Sequence, residues 1–271
     1  MSFPDAKKIY FEKNTLNEVV CQLRFPPVLK IEAELPAEFQ ENIRDEFPNY
    51  IEESSVGIST PPAVQGAIPI EVRKQLDLIR LVAQQTADKS YRFFSEDEVW
   101  KLTLTRTFIA LTTNKYERWE KYYEKLKKPL DALLRIYNPS YYTRIGLRYI
   151  NVICRSDLAL DKETDWVELL KPSLLGLLAS DDVKDSVQDY QGLYEIGLDD
   201  GESTVRLLTK CVEKADQKEI CFMIDSDFFL GRKIEISEAA NKLKYFNVHA
   251  SRLIQWCIQN KLYEALGPRL L

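Results

Sequence analysis

One stretch, Asn114 to Asn151 (NKYERWEKYYEKLKKPLDALLRIYNPSYYTRIGLRYIN), constrains the fold more than any other part of the chain. Its apolar residues change period within a few positions. Tyr116, Trp119, Tyr123, Leu126, Leu130, Leu133 and Tyr137 recur at alternating spacings of three and four, which draws one apolar stripe down a helix. Asn114 is a suitable cap, with Glu117 three residues on. Pro129 lies inside the pattern and is expected to kink the helix or break it near Lys128. After the turn at Asn138-Pro139-Ser140 the period falls to two, and Tyr141–Cys154 reads as a long strand. On that strand Thr143, Ile145, Leu147, Tyr149, Asn151 and Ile153 form the more core-like face. Tyr142, Arg144, Gly146, Arg148, Ile150 and Val152 form the other. A chain that passes from helix to strand through so short a turn must build both layers together.

The flanking sequence adds strands. Asn17–Phe25 is rich in β-branched residues and is stopped by Pro26-Pro27. A short helix follows Pro36, with Phe39, Ile43 and Phe47 on one side. Residues 52–70, rich in Ser, Gly and Pro, read as a loop, and Leu76–Val82 as a strand. Tyr91–Phe94, Val99–Thr105 and Phe108–Thr112 are joined by tight turns, which favours an antiparallel meander. Further on, a short helix is expected from Thr164 to before Pro172, and strands at Lys184–Gly197, Thr204–Val212 and Glu219–Phe229, the first two joined by the Asp200-Gly201 turn. A last helix spans Ser237–Leu266, with Leu243, Phe246, Ala250, Leu253 and Cys257 on one face, and Gly267-Pro268 ends it. The expected fold class is α+β: extended antiparallel sheet with long amphipathic helices packed on one face. Meander followed by helix occurs twice, Tyr91–Tyr137 beside Tyr190–Leu266. This suggests two pseudo-repeated halves, 1–155 and 156–271, packed as one compact unit. Element order alone supports the duplication, since the halves share negligible residue identity.

Composition narrows function. Lysine and arginine number 37 against 42 acids, a net charge of -5. The most basic segment, Lys115–Lys128, alternates its charges as a solvated helix face does. Nucleic-acid binding is therefore not expected. No segment approaches the roughly 20 apolar residues of a membrane helix, and MSFPDAKKIYFEKN lacks a signal-type apolar core. A cytoplasmic protein is expected. Cys21, Cys154, Cys211, Cys221 and Cys257 are too scattered for a zinc site and are expected as reduced, mostly buried thiols. There is no GxxxxGK[ST] and no GxGxxG, which argues against ordinary nucleotide hydrolysis.

Few residues offer chemistry. Arg144 and Arg148 share a strand face with Tyr142. Their Cα atoms lie roughly 13 Å apart at ~3.3 Å per residue, too far to clamp one phosphate. They either line a groove for a longer anion, joined by Arg106 and Arg24, or pair with carboxylates of neighbouring strands. Asp225 and Asp227 share a face near a strand end and could approach a divalent metal. No third ligand is evident, since Asp199 and Asp200 sit in a separate turn, so no metal site is assigned. His249, the single histidine, has no carboxylate near it in sequence to orient it as a base. No catalytic residue and no cofactor are expected. Four tryptophans and fourteen tyrosines suit binding surfaces as well as cores.

Four motifs carry a resemblance: Asn17-Glu-Val-Val…Gln-Leu-Arg-Phe-Pro-Pro27, Trp100-Lys-Leu-Thr-Leu-Thr-Arg106 with Phe108-Ile-Ala-Leu-Thr-Thr, Tyr116-Glu-Arg-Trp119, and Tyr142-Thr-Arg-Ile-Gly-Leu-Arg-Tyr-Ile-Asn151. Together they resemble a sporadically distributed bacterial family of uncharacterised proteins of about this length. The family brings no assigned activity. Its patchy occurrence implies accessory cargo of mobile-element or defence-associated genes. The expected function is a non-catalytic binding or interaction protein with a protein partner or self-association, through a sheet edge or the long helices. The alternatives are a small anionic ligand or nucleotide bound by Arg106, Tyr142, Arg144 and Arg148, and a metal-dependent nuclease or hydrolase using Asp225 and Asp227.

Overall fold

The computed structural model describes residues 3–7, 9–53, 89–214 and 218–270. Most of the loop expected over 52–70, and the strand expected at Leu76–Val82, lie outside them. The described chain is α+β with antiparallel sheets, one of them the short pair of β1 (Ile9–Phe11) and Pro268–Leu270. It forms two compact units, each assembled from separate segments: 1–17, 148–228 and 244–271 in one, 18–147 and 229–243 in the other. The sequence halves 1–155 and 156–271 do not coincide with these units.

In the unit of residues 18–147, β2 (Leu16–Arg24), β4 (Ser90–Phe94), β5 (Trp100–Leu104) and β6 (Phe108–Thr113) fall within two residues of their expected bounds. The hydrogen-bonded order is β3 (Asn49–Glu53), β4, β5, β6, β2. Leu102, Leu111 and Cys21 stand in one cross-strand row, and Leu104, Ile109 and Leu23 in the next. All six are fully buried. Alternation of buried and half-buried residues along β2 and β5 fixes this register, because a slip of one residue would turn their buried side chains to the opposite side. Helices α1 (Leu29–Ala33) and α2 (Ala37–Ile43) follow β2. Phe39, Ile43 and Phe47 are all buried, as their spacing predicts.

Helix α3 (Trp119–Tyr137) departs from its sequence pattern at its start and in its buried face. It begins five residues after Asn114, behind an extended Arg118 that makes no side-chain cap. Pro129 lies inside it without breaking it. Its buried face is Tyr122, Leu126, Pro129, Ala132 and Leu133, so Trp119, Tyr123, Leu130 and Tyr137 of the expected stripe are only half-buried. The cause lies in Tyr122. Its hydroxyl donates to the Leu111 carbonyl at 2.7 Å and accepts from the Cys21 N–H at 2.8 Å. That demand turns the helix toward Tyr122. Asn138, in the left-handed region at φ 43°, then closes α3 onto the Leu133 carbonyl, as the Asn-Pro-Ser turn predicts.

In the other unit the strand order is β7 (Arg144–Ile153, which begins among the residues of the first), β10 (Glu219–Leu230), β9 (Thr204–Lys214), β8 (Gln191–Gly197). Of the expected core face of β7, Ile145, Leu147, Tyr149, Asn151 and Ile153 are buried and Thr143, just before the strand, is exposed; on the other face Gly146 and Ile150 are buried as well. Residues 184–186 form a 3-10 turn, so β8 starts later than expected. Helix α4 (Trp166–Leu169) is short and carries a full capping box from Asp165 and Glu168. The final helix is two, α5 (Ala239–Cys257) and α6 (Asn260–Ala265). The Lys171 N–H takes the Cys257 carbonyl at 2.9 Å and the Gln259 N–H takes the Leu169 carbonyl at 2.8 Å. These long-range bonds replace the helical bonds that continuation would need. Leu243, Phe246, Ala250, Leu253 and Cys257 are buried as expected. The thiol expectation needs correction: Cys154 and Cys221 form a disulfide, 67 residues apart in sequence but on or beside neighbouring strands. Cys21 and Cys257 are buried and Cys211 half-buried, and burial pushes the Cys211 thiol up to about 11.

Tyr122→Phe should lower unfolding free energy by about 1–3 kcal/mol, because it strands the buried Cys21 N–H. Tyr123→Phe, on the half-buried side, should stay within about 0.5 kcal/mol of wild type. Urea unfolding followed by circular dichroism measures both.

Candidate functional site

Two residues that spacing singled out for different chemistries meet each other. β7 presents Arg148 on its less buried face, and β10 presents Asp225. The Arg148 Nε donates to Asp225 Oδ1 at 2.7 Å, and its Nη2 donates to Oδ2. The side chains are 18% and 6% exposed. This is a fork-to-fork pair, the strongest arrangement of these two groups. It binds both carboxylate oxygens to one guanidinium and makes a nearly neutral unit. Asp225 therefore carries a cation of its own chain where an ion was weighed. Asp227, half-buried, follows on the same strand. Among the described residues no group of three or more His, Cys, Asp or Glu is placed to hold a metal.

The other candidates have separate partners. Arg106, in the β5–β6 turn, pairs with Glu32 at 3.0 Å. Tyr142 is buried, and burial lifts its phenol well above the ordinary range. Its backbone exchanges both bonds with Ile234 at 2.9 Å. Tyr142 therefore serves in strand pairing and core rather than at a surface. Arg144 lies flat along β7. A Cβ at Gly146 would sit 2.3 Å from its Nη1, so glycine at that position is what permits the pose. The guanidinium rests 5.0 Å from the Phe229 ring centroid. Its Nη1 donates to Gln22 Oε1 at 3.4 Å, and the Arg24 Nε donates to the same oxygen at 3.0 Å. Two cations thus converge on one neutral amide. The sequence named Arg24 as a companion, and Gln22 is the member that spacing could not supply.

His249 also gains a partner that local sequence hides. Its Nε2 lies 3.2 Å from Asp199 Oδ1 and its Nδ1 3.0 Å from the Tyr245 carbonyl. The Tyr245 hydroxyl donates to the same Asp199 oxygen. The Tyr245 and His249 ring centroids are 4.1 Å apart. Burial first, and the bond to Asp199 second, raise the Tyr245 phenol. No carboxylate near it in sequence reaches His249; Asp199, 50 residues away at the β8–β9 turn, does. The histidine side chain is only 4% exposed. The cluster ties the hairpin tip to α5 through one carboxylate shared by a phenol and an imidazole. The acidic turn Asp199-Asp200-Gly201 was the available signal.

No protein-family model matches the chain, and no curated protein does.

Arg148→Ala or Asp225→Ala should each destabilise by about 3 kcal/mol, because each leaves the other charge poorly solvated. The double variant Arg148→Met/Asp225→Leu should cost far less than the two together. A urea-unfolding cycle reads the coupling directly.

Proposed function

We propose that this chain is a non-catalytic interaction protein, an accessory component of a larger bacterial system that acts in the cytoplasm. The observation that carries the reading is β8. Among the described residues it is the terminal strand of its sheet, and it holds Leu193 59% and Tyr194 42% exposed. Large apolar side chains on a terminal strand are a usual ground for strand-addition binding, in which backbone bonds supply affinity and alternate side chains supply specificity. The resemblance to the sporadically distributed family supports an accessory role in mobile-element or defence-associated genes. Among the described residues no helix is long and apolar enough to cross a membrane.

The finer fold reading belongs with this proposal. Among the described residues a strand, a helical segment, four antiparallel strands and a 19-residue helix follow in that order from β2 to α3. From β7 to α5, which also has 19 residues, the order is the same with three strands in place of four. This supports a pseudo-repeat in which each long amphipathic helix covers one face of its own meander.

Wild-type chain mixed with extract of its native host should elute from size exclusion in a larger assembly. Leu193→Lys/Tyr194→Lys should elute as free chain with its melting temperature retained, since exposed positions change stability by about 0.5 kcal/mol or less. Equal elution of both chains would contradict the reading.

A second reading rests on Arg24 and Arg144 meeting at Gln22 Oε1. Guanidiniums gathered beside an aromatic ring suit a phosphate or other anion. A nucleoside triphosphate should then raise the melting temperature by about 2–4 °C. Arg144→Ala should abolish the rise, and Arg106→Ala, which removes the ion pair with Glu32, should retain it.

A further inference from the structure

Within the unit of residues 18–147, aromatic rings and carboxylates gather where β3 and β4 meet the helices. Glu52 stands opposite Tyr91, and Tyr50 opposite Phe93. The Tyr50 ring centroid lies 6.4 Å from that of Tyr91 and 5.3 Å from that of Phe93. Phe39 of α2 lies 5.7 Å from Phe93 and 6.1 Å from Tyr137, the last residue of α3. Tyr50 is 40% exposed, while Phe39, Tyr91 and Phe93 are fully buried. The cluster thus runs from the surface into the core. The Tyr91 hydroxyl is buried and meets no hydrogen-bond partner among the described residues, where such groups ordinarily have one. Negative charge surrounds these phenols. Burial first, then the charges of Glu52 and Glu32, raise the Tyr91 phenol. Burial first, then Tyr91, Glu38 and Glu34, push the Tyr137 phenol up to about 12. Glu32 is met by Arg106. Glu34, Glu38 and Glu52 are exposed and carry no ion pair among the described residues. The C-terminal end of α3, at Tyr137, adds the negative pole of its dipole.

We propose that this cluster binds an aliphatic polyamine. One ammonium end lies among the rings, whose faces attract a cation, and donates an N–H to the Tyr91 hydroxyl oxygen. The methylene stem packs along Tyr50, the exposed ring by which the chain enters. The outer ammoniums meet Glu34, Glu38 and Glu52. Two other chemistries fit less well. Among the described residues no three acids are placed to hold one metal ion. A single ammonium would answer the hydroxyl and one carboxylate and leave the other carboxylates unmatched. Positive charges spaced along a flexible stem answer all of them. The site stands apart from β8 and does not rest on the interaction reading.

Calorimetric titration of the full chain with spermidine tests the assignment. Binding should saturate and be about tenfold tighter than that of n-butylamine at equal ionic strength. Glu34→Gln/Glu38→Gln/Glu52→Gln, changed only at exposed positions, should fold normally and bind spermidine about tenfold more weakly. Tyr91→Phe keeps the ring and removes the buried hydroxyl. It should raise the melting temperature of the free chain or leave it unchanged, yet weaken spermidine about tenfold. That opposition of sign separates a ligand contact from a structural one. An affinity unchanged in either variant, or no heat of binding at all, would overturn the proposal. So would equal affinity for n-butylamine, or equal stabilisation by magnesium chloride at matched ionic strength, which is charge screening alone.

Discussion

Arg148 and Asp225 stand together on neighbouring strands, and either one alone would be a poorly hydrated charge. Their bidentate bond removes that difficulty and has a consequence for function. The two side chains that looked most like an anion clamp and a metal ligand consume each other's charge. The same theme recurs at Arg106 with Glu32, and at His249 with Asp199 and Tyr245. Polar side chains inside this protein chiefly hold strands and helices in register.

The elements legible in the sequence are those whose signal is local. Proline pairs and tight turns bound the strands of the first meander, and five apolar residues of α5 face inward as their spacing predicts. Period-two alternation placed Ile145, Leu147, Tyr149, Asn151 and Ile153 on the buried face of β7. Here one interaction, burial of an apolar face, dominates all others, and the pattern records it.

The rest was settled by partners distant in sequence. Tyr122 overrides a tidy stripe because two buried backbone groups need its hydroxyl. Bonds from residues 171 and 259 end α5 where propensity would continue it. Cys154 and Cys221, Arg148 and Asp225, and His249 and Asp199 are separated by 67, 77 and 50 positions. No spacing rule reaches across such intervals. Gly146 was visible as a glycine in the strand, but its purpose appears only once Arg144 is seen lying across it.

The claim on which the proposed function depends is that β8, with Leu193 and Tyr194 exposed, is where a partner protein docks. Residue-resolved hydrogen exchange of the chain alone and in the assembly isolated from host extract tests this directly. Exchange along Gln191–Gly197 should slow in the assembly. Exchange along that strand that is the same in both would contradict it.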